Sequence, residues 1–95
     1  MPAYLIADVE VHDLEGYEEY RRLVGPTLKK YGAKFLARGG KIDVLEGTWS
    51  PSRLVIVEFE SADKARQWYR SEDYRPAKEA RQKASSADFV IVEGV

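Results

Sequence analysis

The 95-residue sequence contains no cysteine and only one histidine. The lack of cysteine excludes disulfide bonds, a thiolate nucleophile and every zinc site built on cysteine. A single histidine argues against a histidine-rich metal site within one chain. No cofactor-binding motif is present, so we expect neither a metal nor a cofactor.

An excess of positive charge is also missing. Fifteen basic residues stand against sixteen acidic ones, which gives a net charge of −1. Proteins that bind nucleic acids or membrane surfaces usually carry a basic patch, so we expect neither partner. No apolar run is long enough to span a bilayer, and the N-terminus lacks the basic segment of a signal peptide. These features predict a cytoplasmic protein.

The hydrophobic pattern predicts one domain over residues 1–95, with the element order β-α-β-β-α-β. Hydrophobic residues make up 44% of the chain, as in ordinary globular proteins. Asp13 and Ser61 are placed to cap the two helices, and the second helix is expected to restart near Pro76. The predicted strands cover residues 4–11, 34–46, 53–59 and 87–93. This order is typical of the ferredoxin-like α+β fold, a four-stranded antiparallel sheet with helices on one face.

Two of the predicted strands are apolar on both faces. Residues 54–57 read Leu-Val-Ile-Val and residues 89–92 read Phe-Val-Ile-Val, without the polar alternation of a sheet that has one solvated face. The chain has no further helix to cover the second face. We therefore expect a homodimer in which two sheets meet across a two-fold axis. The alternative is a monomer that exposes a large apolar patch.

Short motifs along the whole chain resemble a known family. They are Met1-Pro2-Ala3-Tyr4, Tyr17-Glu18-Glu19-Tyr20, Arg38-Gly39-Gly40-Lys41, Val44-Leu45-Glu46-Gly47, the segment RLVIVEF at 53–59, the segment WYRSEDY at 68–74, and Val92-Glu93-Gly94. Together they resemble domain-of-unknown-function family 1330 of the dimeric α/β-barrel superfamily. The resemblance implies a ferredoxin-like subunit that dimerises through its sheets, and it implies no activity. Superfamily relatives include cofactor-free monooxygenases, isomerases and haem-degrading enzymes.

Two carboxylates are candidates for acid/base chemistry. With the first and third strands taken as adjacent and parallel, Asp8 and Glu58 fall near the same ends of their strands and on one sheet face. Neighbouring carboxylates can split their proton affinities, and Arg38 could hold an anionic substrate beside them. The alternative is an ion-pair network that stabilises the dimer.

Two loop features have a functional and a plain interpretation. His12, beside Asp13, could act as a general base, or it could be a solvated loop residue. The glycines of the segment Arg38-Gly39-Gly40-Lys41 could bring backbone N–H groups close to an anion, or they could form a β-bulge in the second strand. That strand and the third are expected to form a hairpin with Glu46 near Arg53.

Aromatic residues near the end of the second helix are candidates for ligand binding. Tyr69 and Tyr74, together with Arg81, could line a pocket for a planar ligand. The alternatives are that the two tyrosines pack in the core, where Trp68 is expected, and that Arg81 extends outward to solvent. Trp49 is expected to be exposed and to contact a partner subunit or a ligand.

The sequence leaves two functions open. The first is a homodimeric small-ligand-binding protein, potentially a cofactor-independent acid/base enzyme on a small organic acid or polar metabolite. Asp8, Glu58 and His12 would then be catalytic. The second is a non-catalytic structural or binding dimer whose buried charges stabilise the interface.

Overall fold

The computed structural model describes all residues, 1–95, and contains four strands and three helices. The elements are β1 (Ala3–Val11), α1 (Leu14–Lys30), β2 (Lys34–Arg38), β3 (Leu54–Phe59), α2 (Ala62–Arg70), α3 (Arg75–Ala84) and β4 (Ser85–Glu93). The predicted order is confirmed, and the second helix is divided into α2 and α3 as expected. None of the helices combines the length and the apolar character needed to cross a membrane.

The four strands form one antiparallel sheet in the order β2-β3-β1-β4. The prediction that β1 and β3 run parallel is wrong. They are antiparallel, with Tyr4 opposite Glu58 and Asp8 opposite Leu54. The physical reason is the crossover: the helix α1 returns the chain so that β1 and β2 run in the same direction, and β3 is inserted between them.

Side-chain caps fix where the first two helices begin. The Asp13 carboxylate accepts a hydrogen bond from the Gly16 backbone N–H at 3.2 Å. The Ser61 hydroxyl accepts one from the Lys64 N–H at 3.2 Å. Both predicted caps are confirmed, and each satisfies a backbone donor that the helix itself leaves free.

The core lies between the helices and one face of the sheet. Phe59 and Trp68 are almost wholly buried, and their ring centroids are 5.6 Å apart. The Trp68 indole Nε1 donates a hydrogen bond to the Thr27 hydroxyl at 2.9 Å, so its polar atom is satisfied. Trp68 is a core residue, as expected.

The other face of the sheet is apolar and uncovered. Val90 and Val92 of β4 are 56% and 48% exposed, and they lie in register beside Ile6 and Tyr4 of β1. Ile6 in turn faces Ile56 of β3. The prediction that these strands are apolar on both faces is confirmed. No helix or strand covers this outer face, and Trp49 and Ser52 contact it at Asp8.

The connection between β2 and β3 differs from the prediction. The strands β2 and β3 pair antiparallel, as predicted, and Arg38 at the end of β2 lies opposite Val55. Residues 39–53 form no helix or strand, so the predicted extension of this hairpin to Glu46 near Arg53 is wrong. The irregularity in the ladder lies between Phe35 and Ala37 rather than at the two glycines. The glycines instead begin the connection, where a regular strand has already ended.

Candidate functional site

A narrow apolar cavity lies between α1 and the inner face of the sheet, near β2 and β3. It encloses about 30 Å³. This volume holds one water molecule or one small chemical group. The cavity is lined by Leu5, Val9, Tyr17, Tyr20, Arg21, Val24, Leu28, Phe35, Arg38, Arg53, Val55, Val57 and Trp68.

Three arginines interrupt this apolar lining. Arg21 is engaged by Glu18 one turn earlier in α1, with 3.1 Å between nitrogen and oxygen. Arg38 and Arg53 form no ion pair within the chain. Their guanidinium carbons lie 4.2 Å from the Phe35 ring centre and 5.4 Å from the Tyr17 ring centre, respectively. Arg38 and Arg53 therefore line the cavity without a carboxylate partner, and the guanidinium group of each lies near an aromatic ring.

Arg53 is the less solvated of the two. Its side chain is half-buried, and its Nε is buried without any hydrogen-bond partner. A buried donor without an acceptor costs about 1–3 kcal/mol, and such groups are uncommon in folded proteins. The Arg53 Nε therefore has no acceptor among the protein's own atoms, while the Arg53 side chain lines the cavity.

Gly39 makes the position of Arg53 possible. A Cβ atom at residue 39 would lie 2.2 Å from the Arg53 Nη1, and the Gly39 φ of 73° is in the left-handed region. The Gly39 N–H also donates a hydrogen bond to the Leu54 carbonyl at 2.8 Å. The left-handed backbone conformation requires glycine here, and a side chain at this position would also displace the flexible end of Arg53.

A chain of buried polar side chains extends from the cavity residue Tyr20 to Arg81. The hydroxyl of Tyr20, a cavity residue, lies 3.2 Å from that of Tyr74, and Arg81 Nε donates to the Tyr74 hydroxyl at 3.3 Å. Arg81 is only 5% exposed, and its guanidinium carbon lies 4.1 Å from the centre of the Phe89 ring. No carboxylate pairs with this buried charge, so the phenol and the aromatic ring are what compensate its lost hydration.

Burial controls the protonation of the two phenols. It raises the pKa of Tyr20 well above the usual range. Burial also raises the pKa of Tyr74, although the neighbouring Arg81 opposes this shift. Both hydroxyls are therefore neutral at physiological pH and serve as hydrogen-bonding groups rather than bases.

Three of the four residues predicted to bind a ligand lie next to one another, but two of these three, Tyr74 and Arg81, are buried in the core. Of the four, only Tyr69 and Arg38 line a cavity. The Tyr69 ring centre is 5.8 Å from that of Tyr74, which is bonded to Arg81. Arg38 lies apart from these three, at the cavity, and Tyr20 is the residue that connects the two groups. Sequence reasoning missed Arg53 and Tyr20; the register that places Arg53 against Gly39 is set by the irregular connection and carries no sequence signal.

The predicted convergence of Asp8 and Glu58 is wrong. Both lie on the outer sheet face, but antiparallel pairing places them four residues apart along the ladder, roughly 13 Å. The Asp8 carboxylate accepts hydrogen bonds from the Trp49 Nε1 and the Ser52 N–H, both at 3.1 Å. Glu58 pairs instead with Lys34 at 3.2 Å. Neither residue lines the helix-side cavity, and Arg38 joins neither of them.

His12 is exposed and its side chain forms no hydrogen bond. Its backbone N–H donates to the Ala84 carbonyl at 3.0 Å, and the adjacent Asp13 carboxylate is engaged as the cap of α1. The predicted Asp–His pair is therefore not formed. No group of three His, Asp or Glu side chains is arranged to hold a metal ion.

Comparison with known proteins identifies a family. The family model described as Domain of unknown function (DUF1330) matches residues 2–95. No curated protein is a significant match. A protein of unknown function from Rhodopseudomonas palustris is 21% identical in sequence and has a TM-score of 0.79; the alignment covers 99% of this chain and 82% of that one.

Two further solved structures with a similar fold come from proteins described by an activity or by a named family. SnoaB, a cofactor-independent oxygenase from Streptomyces nogalater, is 11% identical with a TM-score of 0.59, over 99% of this chain and 93% of its own. An EthD-family protein from Bacillus halodurans is 18% identical with a TM-score of 0.57, over the full length of both chains. At these identities the likeness shows the ferredoxin-like fold and carries no activity to this chain.

Proposed function

The chain belongs to the DUF1330 family, and from this premise, which supplies a fold but no activity, we propose that it is a homodimeric protein that binds a small organic anion. The ligand site is the cavity between α1 and the sheet, with Arg38 and Arg53 at its opening. The dimer forms through the uncovered outer face of the sheet.

The observation that carries the ligand proposal is the unsatisfied Arg53 Nε. A carboxylate or similar oxyanion supplies the missing acceptor, and the planar guanidinium fork suits two-point contact with such a group. Arg38, also without a carboxylate partner, adds a second positive charge at the same cavity. Anion binding therefore offsets the free-energy cost of burying the Arg53 Nε without a hydrogen-bond partner.

The cavity also limits the size of the ligand. Its enclosed volume of about 30 Å³ accommodates one small group, while the rest of a ligand must lie at the opening between α1 and β2. The apolar wall favours a short hydrocarbon body. A small organic acid fits these requirements.

Binding, rather than acid/base catalysis, is the function that this geometry supports. The three acid/base candidates, Asp8, Glu58 and His12, all lie outside the cavity lining. The groups that do line it are permanently charged arginines and neutral phenols, which bind and orient an anion without exchanging a proton at neutral pH.

A thermal-shift series with acetate, lactate, succinate and hexanoate tests the proposal. A ligand that binds the folded state raises the Tm, and we expect this rise for the wild type and for Arg22→Gln. Arg22 is a matched control because it lies on α1, is exposed and pairs only with Glu19. In Arg53→Gln we expect the rise to be lost. An equal rise in Arg53→Gln, or no rise with any acid, would show that the cavity is not an anion site.

A further inference from the structure

A second groove lies on the helix side of the sheet, between α2 and the edge strand β4. It has a volume of about 320 Å³ and is lined by Leu5, Arg66, Tyr69, Arg70, Phe89 and Ile91. Leu5 is the only residue that it shares with the cavity described above. The groove is thus a separate, more open site, whose floor is apolar because Leu5, Phe89 and Ile91 occupy the inner face of neighbouring strands.

Helical spacing places two arginines and an aromatic ring on one side of α2. Arg66, Tyr69 and Arg70 are separated by three and four residues, so their side chains project toward the same groove. Arg70 forms no ion pair. Arg66 is paired with Asp63 at 2.8 Å, an exposed contact within one helical turn, and such pairs are weak.

Two more cations lie against the aromatic walls. The Lys78 Nζ is 4.5 Å from the centre of the Tyr69 ring, and the Arg81 guanidinium carbon is 4.1 Å from that of Phe89. Arg66 and Arg70 line the groove itself, and Lys78 and Arg81 lie against the two rings of its wall, in a chain whose net charge is −1. Such a concentration of one sign at a concave apolar surface attracts an anion.

We propose that this groove binds a planar aromatic carboxylate. The rings of Tyr69 and Phe89 are inclined at 54° with centroids 6.0 Å apart, and they provide an edge and a face against which a third ring can pack. Arg66 and Arg70, at the rim, are placed to hold the carboxylate. Apart from Leu5, the proposal stands on residues other than those of the cavity, and it does not depend on the function proposed for the cavity.

Titration of the ¹⁵N-labelled protein with benzoate, followed by two-dimensional NMR, tests the inference. We expect saturable shifts of the backbone amides in 66–70 and 89–91. Arg70→Gln should weaken binding by roughly tenfold, the effect of losing one charge-assisted hydrogen bond. Arg75→Gln is the matched control, since Arg75 is exposed, pairs with Glu72 and lies outside the groove.

Two further ligands distinguish the contribution of the aromatic ring of benzoate from that of its carboxylate. Benzyl alcohol, which has the ring without the carboxylate, should bind much more weakly than benzoate, and so should acetate at this site. Arg53→Gln should leave the benzoate affinity unchanged, so failure of the cavity proposal would not affect this one. The inference is overturned if benzoate causes no saturable shift up to about 10 mM, if Arg70→Gln binds like the wild type, or if the shifts map to the α1 cavity.

Discussion

The hydroxyl groups of Tyr20 and Tyr74 lie 3.2 Å apart although the two residues are separated by 54 positions in the sequence. This contact joins α1 to the start of α3 beneath the surface. It also joins the α1 cavity, which Tyr20 lines, to the buried Arg81, which donates to Tyr74. Tyr74 is thus the central member of a three-residue polar chain in an otherwise apolar core.

The first prediction concerns this chain. Tyr74→Phe leaves both the Tyr20 hydroxyl and the Arg81 Nε without a partner, whereas Tyr20→Phe leaves Tyr74 still bonded to Arg81. We expect Tyr74→Phe to lower the free energy of unfolding by about 2–4 kcal/mol, and Tyr20→Phe by about half as much. Urea denaturation measures both values. Equal losses, or a larger loss in Tyr20→Phe, would contradict the central position of Tyr74.

The second prediction concerns Gly39. Gly39→Ala places a Cβ atom in contact with the Arg53 guanidinium and forces an L-residue into a left-handed conformation. We expect a loss of about 1–3 kcal/mol in the free energy of unfolding, measured by urea denaturation. Gly40→Ala is the matched control, because no atom lies within 4 Å of a Cβ there.

A double-mutant cycle divides the Gly39 effect into its two causes. In an Arg53→Ala background the steric conflict disappears, and only the backbone cost of about 1 kcal/mol should remain. If Gly39→Ala is as costly in this background as in the wild type, the close approach of Arg53 contributes nothing.

The third prediction concerns the dimer. Val90, 56% exposed at the outer sheet face, is expected at the dimer interface, and Val90→Lys places a charge within that apolar surface. Static light scattering should give twice the 10.8 kDa chain mass for the wild type and the single chain mass for Val90→Lys. Leu14→Lys is the control: Leu14 is 78% exposed at the start of α1, and the dimer should persist. A monomeric wild type would overturn the proposed homodimer.

The fourth prediction assigns Asp8 to the connection between β2 and β3. Its carboxylate bonds to both Trp49 and Ser52, so Asp8→Ala should release the connection from the sheet. We expect trypsin to cleave after Lys41 several-fold faster in this variant, since proteolysis follows local opening. Glu58→Ala, which loses only the Lys34 contact, should be cleaved at the wild-type rate. Equal rates in both variants would show that Asp8 does not anchor the connection.

Features set by residues that are close in sequence could be predicted, whereas features set by the pairing of distant segments could not. Local signals were sufficient for the caps Asp13 and Ser61 and for the strand composition, because each depends on residues within one turn or one strand. The predicted Asp8–Glu58 site does not form because β1 and β3 are antiparallel rather than parallel. In a sheet, reversing one neighbour moves a residue from one end of the ladder to the other while leaving its face unchanged.

The cavity could not be predicted, for a related reason. Gly39 and Arg53 are the first and last residues of a fifteen-residue connection without regular structure. Hydrophobic periodicity does not predict the path of such a connection. The inward orientation of Arg81 was one of two alternatives that the sequence indicated, because the alanines along its side of α3 leave room for a long side chain to turn inward. Its partner Tyr74 is close in sequence, and Tyr20 is not.

The fifth prediction concerns alkaline pH. The pKa of an unfolded tyrosine is about 10. Burial raises the pKa of both Tyr20 and Tyr74 in the folded chain. Below pH 10 both hydroxyls are protonated in both states, and pH has no effect through them. Above pH 10 the unfolded chain releases protons that the folded chain retains, so the free energy of unfolding falls as the pH rises.

The loss from Tyr20, whose pKa is raised the most, should reach about 1.4 kcal/mol per pH unit, and Tyr74 adds to it in the same direction. Urea denaturation between pH 9 and pH 11.5 measures this slope, and Tyr20→Phe should reduce it by the contribution of one group. Tyr31→Phe is the control, because the Tyr31 hydroxyl is bonded to Asp73 at the surface. Lysines also titrate in this range, so only the difference between the two variants is diagnostic. If Tyr20→Phe and Tyr31→Phe have the same slope, the Tyr20 hydroxyl is not held protonated by the folded structure.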